Sequence, residues 1–132
     1  MNLQTRLNSF FLLKDRLLDV NNEALIQAKA SAYNQNSWFL PDFIEKAISQ
    51  IAHQFLTKEA LMEWTAAYPQ IADNMTHKKV GIVMAGNIPL VGFHDILSTL
   101  VAGHTAVVKL SSKDTVGMEY IIDTLIEIAP QW

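Results

Sequence analysis

Val80-Gly81-Ile82-Val83-Met84-Ala85 and Ala106-Val107-Val108-Lys109-Leu110 are short apolar runs with β-branched residues, and what lies between them decides the fold. Runs of this length and composition suit the buried strands of a parallel sheet. Between them Pro89 opens a segment in which Val91, Ile96, Leu97, Leu100 and Val101 recur at helical spacing. Gly103 then stands where a C-cap glycine closes a helix. Strand, helix, strand in that order predicts a right-handed βαβ crossover. A further helix follows Asp114-Thr115, with Ile121, Ile122, Leu125 and Ile128 inward, and ends before Pro130. The expected fold class is therefore α/β, with residues 79–132 forming the first βαβα portion of a larger domain. Two strands do not make a complete doubly wound sheet, because parallel strands need cover on both faces and pairing on both edges. The chain reads as a fragment with an incomplete sheet.

Upstream, residues 1–78 read as a helical region. Leu3, Leu7, Phe10, Phe11, Lys14, Leu17 and Leu18 follow a 3.6-residue period, with the Lys14 stem at the edge of the stripe. Asn21-Asn22 breaks that helix and can cap the next, whose inner face is expected to be Leu25, Ile26, Ala30 and Tyr33. Pro41 suits a first helical position. From there Phe43, Ile44, Ala47, Ile48, Ile51, Ala52 and Phe55 form an amphipathic stripe. Thr57 can cap a short helix carrying Leu61, Met62 and Trp64 that stops near Tyr68-Pro69. Such stripes are core far more often than ligand sites. His53 and His77 are isolated, without metal-ligand spacing, and no metal site is expected.

Composition narrows the function classes. Of 132 residues half are hydrophobic and 17% are charged, which describes a globular chain. No apolar run reaches the ~20 residues of a membrane span, and the N-terminus lacks the features of a signal peptide, so a cytoplasmic protein is the default. The net charge of −3, with scattered Lys and Arg, argues against nucleic acid as a partner. The chain has no cysteine, which excludes disulfides, Cys-ligated zinc and thiol catalysis by these residues themselves.

Two stretches can carry chemistry. Gly86-Asn87-Ile88-Pro89 follows a strand and precedes a helix. Asn87 there can cap the helix or present an amide N–H₂ to an oxyanion, and spacing alone leaves both open. Lys109 ends the second strand, and ligands of open α/β sheets bind just outside the carboxyl ends of the strands. It can reach a ribose or a phosphate, or it can simply be solvated. Neither a Gly-x-Gly-x-x-Gly fingerprint nor a Walker A loop is present. His94-Asp95 is not a catalytic pair, because adjacent helical side chains point about 100° apart.

Gly86-Asn87-Ile88-Pro89-Leu90, a helix, Ala102-Gly103-His104 and Val107-Val108-Lys109-Leu110-Ser111-Ser112 together resemble the aldehyde dehydrogenase superfamily. That superfamily carries Asn-x-Pro, a helix, Ala-x-Gly-Asn, then a strand ending Lys-Pro-Ser-Glu. The fuller string from Gly81 to Asp95 is more similar to its acyl-CoA reductase branch, the LuxC-like type that makes fatty aldehydes. The resemblance covers nearly the whole chain. It implies a Rossmann-like nucleotide-binding domain, begun in 79–132, and reduction of an acyl-CoA to an aldehyde through an acyl-cysteine intermediate. By position, Asn87 would be the side-chain half of the oxyanion hole and Lys109 would bind the adenosine ribose. Met84, Ala85 and Gly86 would line the cofactor cleft. His104 replaces the usual Asn, Leu110 replaces Pro, and Ser112 replaces the Glu that would hold the 2′-hydroxyl of NAD. With that carboxylate gone, Ser111, Ser112 and Lys113 could donate to a 2′-phosphate, so NADPH is expected in preference to NADH.

The resemblance also implies that the cysteine lies beyond these residues and that the fragment alone is inactive. Acyl-CoA is the expected partner, and unpaired sheet edges make a homo-oligomer the expectation. Two other readings stand beside this one: a superfamily reductase acting on acyl phosphates or aldehydes, and a helical interaction module whose βαβ unit is only scaffold.

Overall fold

The computed structural model describes residues 1–72 and 76–132. The expected helical region 1–78 includes 73–75, which lie outside the described residues. Four α-helices come first: α1 (Leu3–Leu18), α2 (Glu23–Gln35), α3 (Pro41–Gln50) and α4 (Lys58–Ala66). A π turn at Ile51–Phe55 continues α3, and a 3₁₀ turn at Pro69–Ile71 follows α4. The second part is β1 (Lys79–Val83), α5 (Phe93–Val101), β2 (Thr105–Lys109) and α6 (Thr115–Ile128). The two strands pair in parallel, Lys79 opposite Thr105 and Val83 opposite Lys109. The chain is thus an α/β fold with an incomplete sheet, as its apolar runs imply.

Local chemistry sets the helix starts. The side-chain oxygens of Asn2, Asn22 and Thr57 accept from the N–H groups of Thr5, Leu25 and Ala60, satisfying donors that a first turn leaves unpaired. Pro41 opens α3, where its missing N–H costs nothing. The Asn22 amide also donates to the Arg16 carbonyl and the Tyr120 hydroxyl, pinning the α1–α2 corner to α6. At the π turn Leu56 N–H reaches back to the Ile51 carbonyl at 3.1 Å. The extra residue keeps Ile51, Ala52 and Leu56 all buried.

One hydrophobic cluster runs through both parts, from Phe10 and Leu13 of α1 to Phe93 and Ile96 of α5 and Met118 and Ile121 of α6. α1 and α2 lie against α6. On the sheet, Ile82 and Met84 turn inward, whereas Val83 is 80% exposed and Val107 53% exposed, so the outer face is bare. No helix among the described residues is long and apolar enough to cross a membrane.

Several expected inner faces differ. In α1, Arg6 and Leu13 are buried, and Leu18 is exposed. In α2 the buried residues are Leu25 and Ala32, with Ile26 and Tyr33 exposed, because that helix touches α6 and α3 along a narrow line. Phe43, Met62 and Trp64 are exposed as well.

Candidate functional site

The carboxyl ends of β1 and β2 form one rim. Met84 N–H donates to the Lys109 carbonyl at 3.0 Å, so the ladder continues one step beyond β1. Past it, the two post-strand loops press together. A Cβ built on Gly86 would lie 2.1 Å from Ser111 Oγ and 2.7 Å from Ser111 Cβ. Only glycine permits this approach, and it places Gly86 against Ser111 and Lys113. Met84 is buried with its thioether against Gly92, and Ala85 is exposed.

Helix α5 starts at Phe93 with Gly92 at its cap, later than Pro89 leads one to expect. Asn87 therefore does not cap it. Residues 87–92 form a turn in which Leu90 takes φ 59°. Proline followed by a left-handed residue is the combination type II turns use, but glycine or asparagine is the usual second member. A leucine there costs about 1–2 kcal/mol, so the surroundings have to hold it. Leu90 is buried, and its side chain fits over Gly117, where a Cβ would stand 2.9 Å from Leu90 Cδ2. Its N–H donates to Asp114 Oδ2 at 2.7 Å. Asn87 itself is exposed, and among the described residues no hydrogen bond engages its amide.

The β2–α6 loop is wound on Ser111. The Ser111 carbonyl accepts from Asp114 N–H and from the Thr115 hydroxyl, and Ser111 Oγ accepts from Lys113 N–H at 3.2 Å. Ser112 and Lys113 are exposed. Lys109, also exposed, donates from Nζ to its neighbour's carbonyl at Leu110, a weak 3.3 Å bond that a ligand can replace. Its register with Val83 places it on the bare outer face of the sheet.

Sequence reading missed Asp114 as a site residue. It occupies the cap position of α6, yet its side chain caps nothing there and reaches Leu90 instead. It is 3% exposed. Burial pushes its carboxyl up to about 6, against which the Leu90 N–H acts by favouring the charged form. The only advance signal was an Asp before a helix, which ordinarily means capping. Leu90 gave none, since nothing in a leucine announces positive φ.

A small cavity lies against Pro89, Leu90 and Asp114. His94 packs its ring edge-on against Phe55 with centroids 4.2 Å apart, a packing contact. The larger cavity, about 650 Å³, runs along β2 beside Arg6, Gly103, Thr105, Val108, Leu110 and Trp132. Among the described residues no three His, Asp or Glu side chains converge as a metal site would need.

The Lys109 ammonium, the Ser112 hydroxyl and the Lys113 ammonium are exposed hydrogen-bond donors at this rim. No curated protein and no solved structure matches the chain. The family model described as acyl-CoA reductase (LuxC) matches residues 11–131, and the chain belongs to that family.

Proposed function

We propose that this chain supplies the nucleotide side, and one oxyanion donor, of an NADPH-dependent reductase that converts a fatty acyl-CoA to the aldehyde. The observation that carries the reading is the Gly86–Ser111 contact, which brings the Asn87 loop and the 109–113 loop to one rim in a chain of this family.

The overall change consumes an acyl-CoA, NADPH and a proton, and yields an aldehyde, CoA and NADP⁺. A bound NADPH supplies the hydride. Lys109 would hold the adenosine ribose, and Ser112 and Lys113 the 2′-phosphate, with Ser111 shaping the loop that presents them. Met84, Ala85 and Gly86 would form the wall of the cleft. The Asn87 amide would donate to the thioester oxygen as it gains negative charge, an interaction stronger in the transition state than in the ground state. The thiolate that takes the acyl group has to come from outside these 132 residues, which contain no cysteine. By themselves they are expected to turn over no acyl-CoA.

Full-length protein assayed with long-chain acyl-CoA and NADPH should form aldehyde and CoA in equal amounts. Asn87→Ala should then lower kcat by about 10²–10³, the usual effect of losing one oxyanion donor. An unchanged kcat in that variant, or activity with acyl phosphates but not acyl-CoA, would refute the reading.

A further inference from the structure

We propose that Asp114 is a positioning residue: through its hydrogen bond to Leu90 it latches the loop that carries Asn87 against the loop that carries Lys109. The inference rests on the reductase reading for its consequence in catalysis, but its geometry stands independently.

Three observations converge. The carboxylate is 3% exposed and lies 2.7 Å from Leu90 N–H, 24 positions away in the chain. Leu90 is held at φ 59°, so it relaxes unless something retains it. Asp114 stands at the cap of α6 and forgoes the local bonds that an aspartate makes there. A buried carboxylate that gives up capping to grip another loop does more than begin a helix. The grip falls three residues after Asn87 and one residue after Lys113. It therefore sets the distance between the amide meant for the substrate oxygen and the donors meant for the nucleotide. A displacement on the order of 1 Å at such a point is enough to cost about a hundredfold in rate.

The surroundings leave this carboxylate to govern the latch. Lys29 and Tyr120 line the small cavity beside it. Lys29 is engaged by Glu45 at 2.5 Å, and the Tyr120 hydroxyl accepts from Asn22. Lys113, next in the chain, is exposed and its carbonyl accepts from Asn36. Protonation of Asp114 at a pH of about 6 turns a charge-assisted bond into a neutral one.

The test uses isotope-labelled full-length protein. The Leu90 amide resonance should titrate with a midpoint of about pH 6, and Asp114→Asn should abolish that titration. Asp114→Ala should speed hydrogen exchange of the amides of 87–92 by about tenfold with α1 and α2 unchanged. It should also lower kcat by about tenfold while KM for acyl-CoA stays within about twofold. Asp114→Asn, which keeps an acceptor oxygen, should restore kcat and remove the limb of the kcat–pH profile near pH 6. A Leu90 amide indifferent to pH and to Asp114→Asn overturns the latch, as does exchange that rises equally throughout the chain in Asp114→Ala. Wild-type protein that reduces no acyl-CoA sinks the reductase reading instead, and the amide measurements still decide the latch.

Discussion

Helix α5 is bracketed by two buried charges, and they are secured very differently. Where the chain leaves α5, Arg6 is 2% exposed and its guanidinium donates to three carbonyls: Val101 at 3.1 Å, Met1 at 2.6 Å and Ile71 at 2.6 Å. Those bonds tie the chain start, the end of α5 and the 3₁₀ turn into one knot, and burial lowers the guanidinium's pKa without discharging it. The backbone closes over it at Gly103, φ 83°, where a Cβ would stand 3.2 Å from the guanidinium. Where the chain enters α5, Asp114 holds a strained Leu90 by one N–H. Each charge lies near helix termini of favourable sign, the cation at the carbonyl end of α5 and the anion at the amide end of α6. Three bonds on unstrained backbone make an anchor. One bond on strained backbone makes an adjustable contact, and it is found at the carboxyl edge of the sheet, where ligands of α/β folds bind.

The contrast breaks most directly at Arg6. Arg6→Ala leaves one buried and two partly buried hydrogen bonds unmade, and a buried acceptor left without a donor costs about 1–3 kcal/mol, so global stability should fall by about 2–3 kcal/mol. Arg6→Lys cannot span three acceptors with the same fork and should recover only part. Urea unfolding followed by circular dichroism reads both. A loss under about 1 kcal/mol for the alanine variant would mean that this end is no better anchored than the other.

Acid reads the opposite end. Asp114 binds its proton more tightly folded than unfolded, since its carboxyl sits at about 6 against an ordinary 3.8. The folded state therefore holds more protons between those values, and stability falls as pH rises through that window, then levels off. Taking the protein from pH 7 down to about 4 should add stability on the order of 2–3 kcal/mol from this group, an upper figure set by the size of the shift. Asp114→Asn should lack that contribution and be at least as stable as wild type at pH 7. Melting temperatures across the range decide it, and equal slopes in the two proteins would remove Asp114 as the source.

Gly86 and Gly92 sharpen the picture within the site. Each is crowded, but a Cβ on Gly92 meets the Met84 thioether, whereas one on Gly86 meets Ser111 Cβ. Methionine can turn aside, and a serine Cβ moves only with its backbone. Gly86→Ala should cost about 1–3 kcal/mol and weaken NADPH binding, and Gly92→Ala should cost less. The reverse order would show that the loops are not pressed together as described.

Much of this was legible in the sequence. The β-branched runs gave both strands to within one or two residues, and Asn22, Pro41 and Thr57 marked helix starts correctly because capping is local chemistry. The inner faces of α2 and α4 were less readable, since which side is buried depends on partners distant in the chain. The start of α5 was misplaced because Leu90's left-handed backbone is imposed by Asp114 and Gly117 from across the fold. Arg6 was hidden among α1's polar residues for the same reason: its acceptors lie up to 95 positions away. At the rim, the roles expected of Gly86, Lys109, Ser111 and Lys113 rest on resemblance to a family pattern, while the carboxylate that joins their loops belongs to none of the motifs read.

The smallest expected effect on stability concerns the residue that should set cofactor choice. Ser112 is exposed beside Lys113 on the loop after β2, so Ser112→Glu should change stability by less than about 0.5 kcal/mol. Its effect on binding should be large and directional. A carboxylate at that position repels a 2′-phosphate and accepts from a 2′-hydroxyl. The ratio of kcat/KM for NADPH over NADH should therefore drop by about tenfold to a hundredfold in the full-length enzyme, mostly through KM for NADPH. Lys113 remains and still attracts phosphate, which is why a full inversion is not expected from one substitution. A ratio that does not move would place the adenosine ribose away from the 109–113 loop. The structural anchor at Arg6 and the latch at Asp114 would then survive, but the rim beside Asp114 would have lost its ligand.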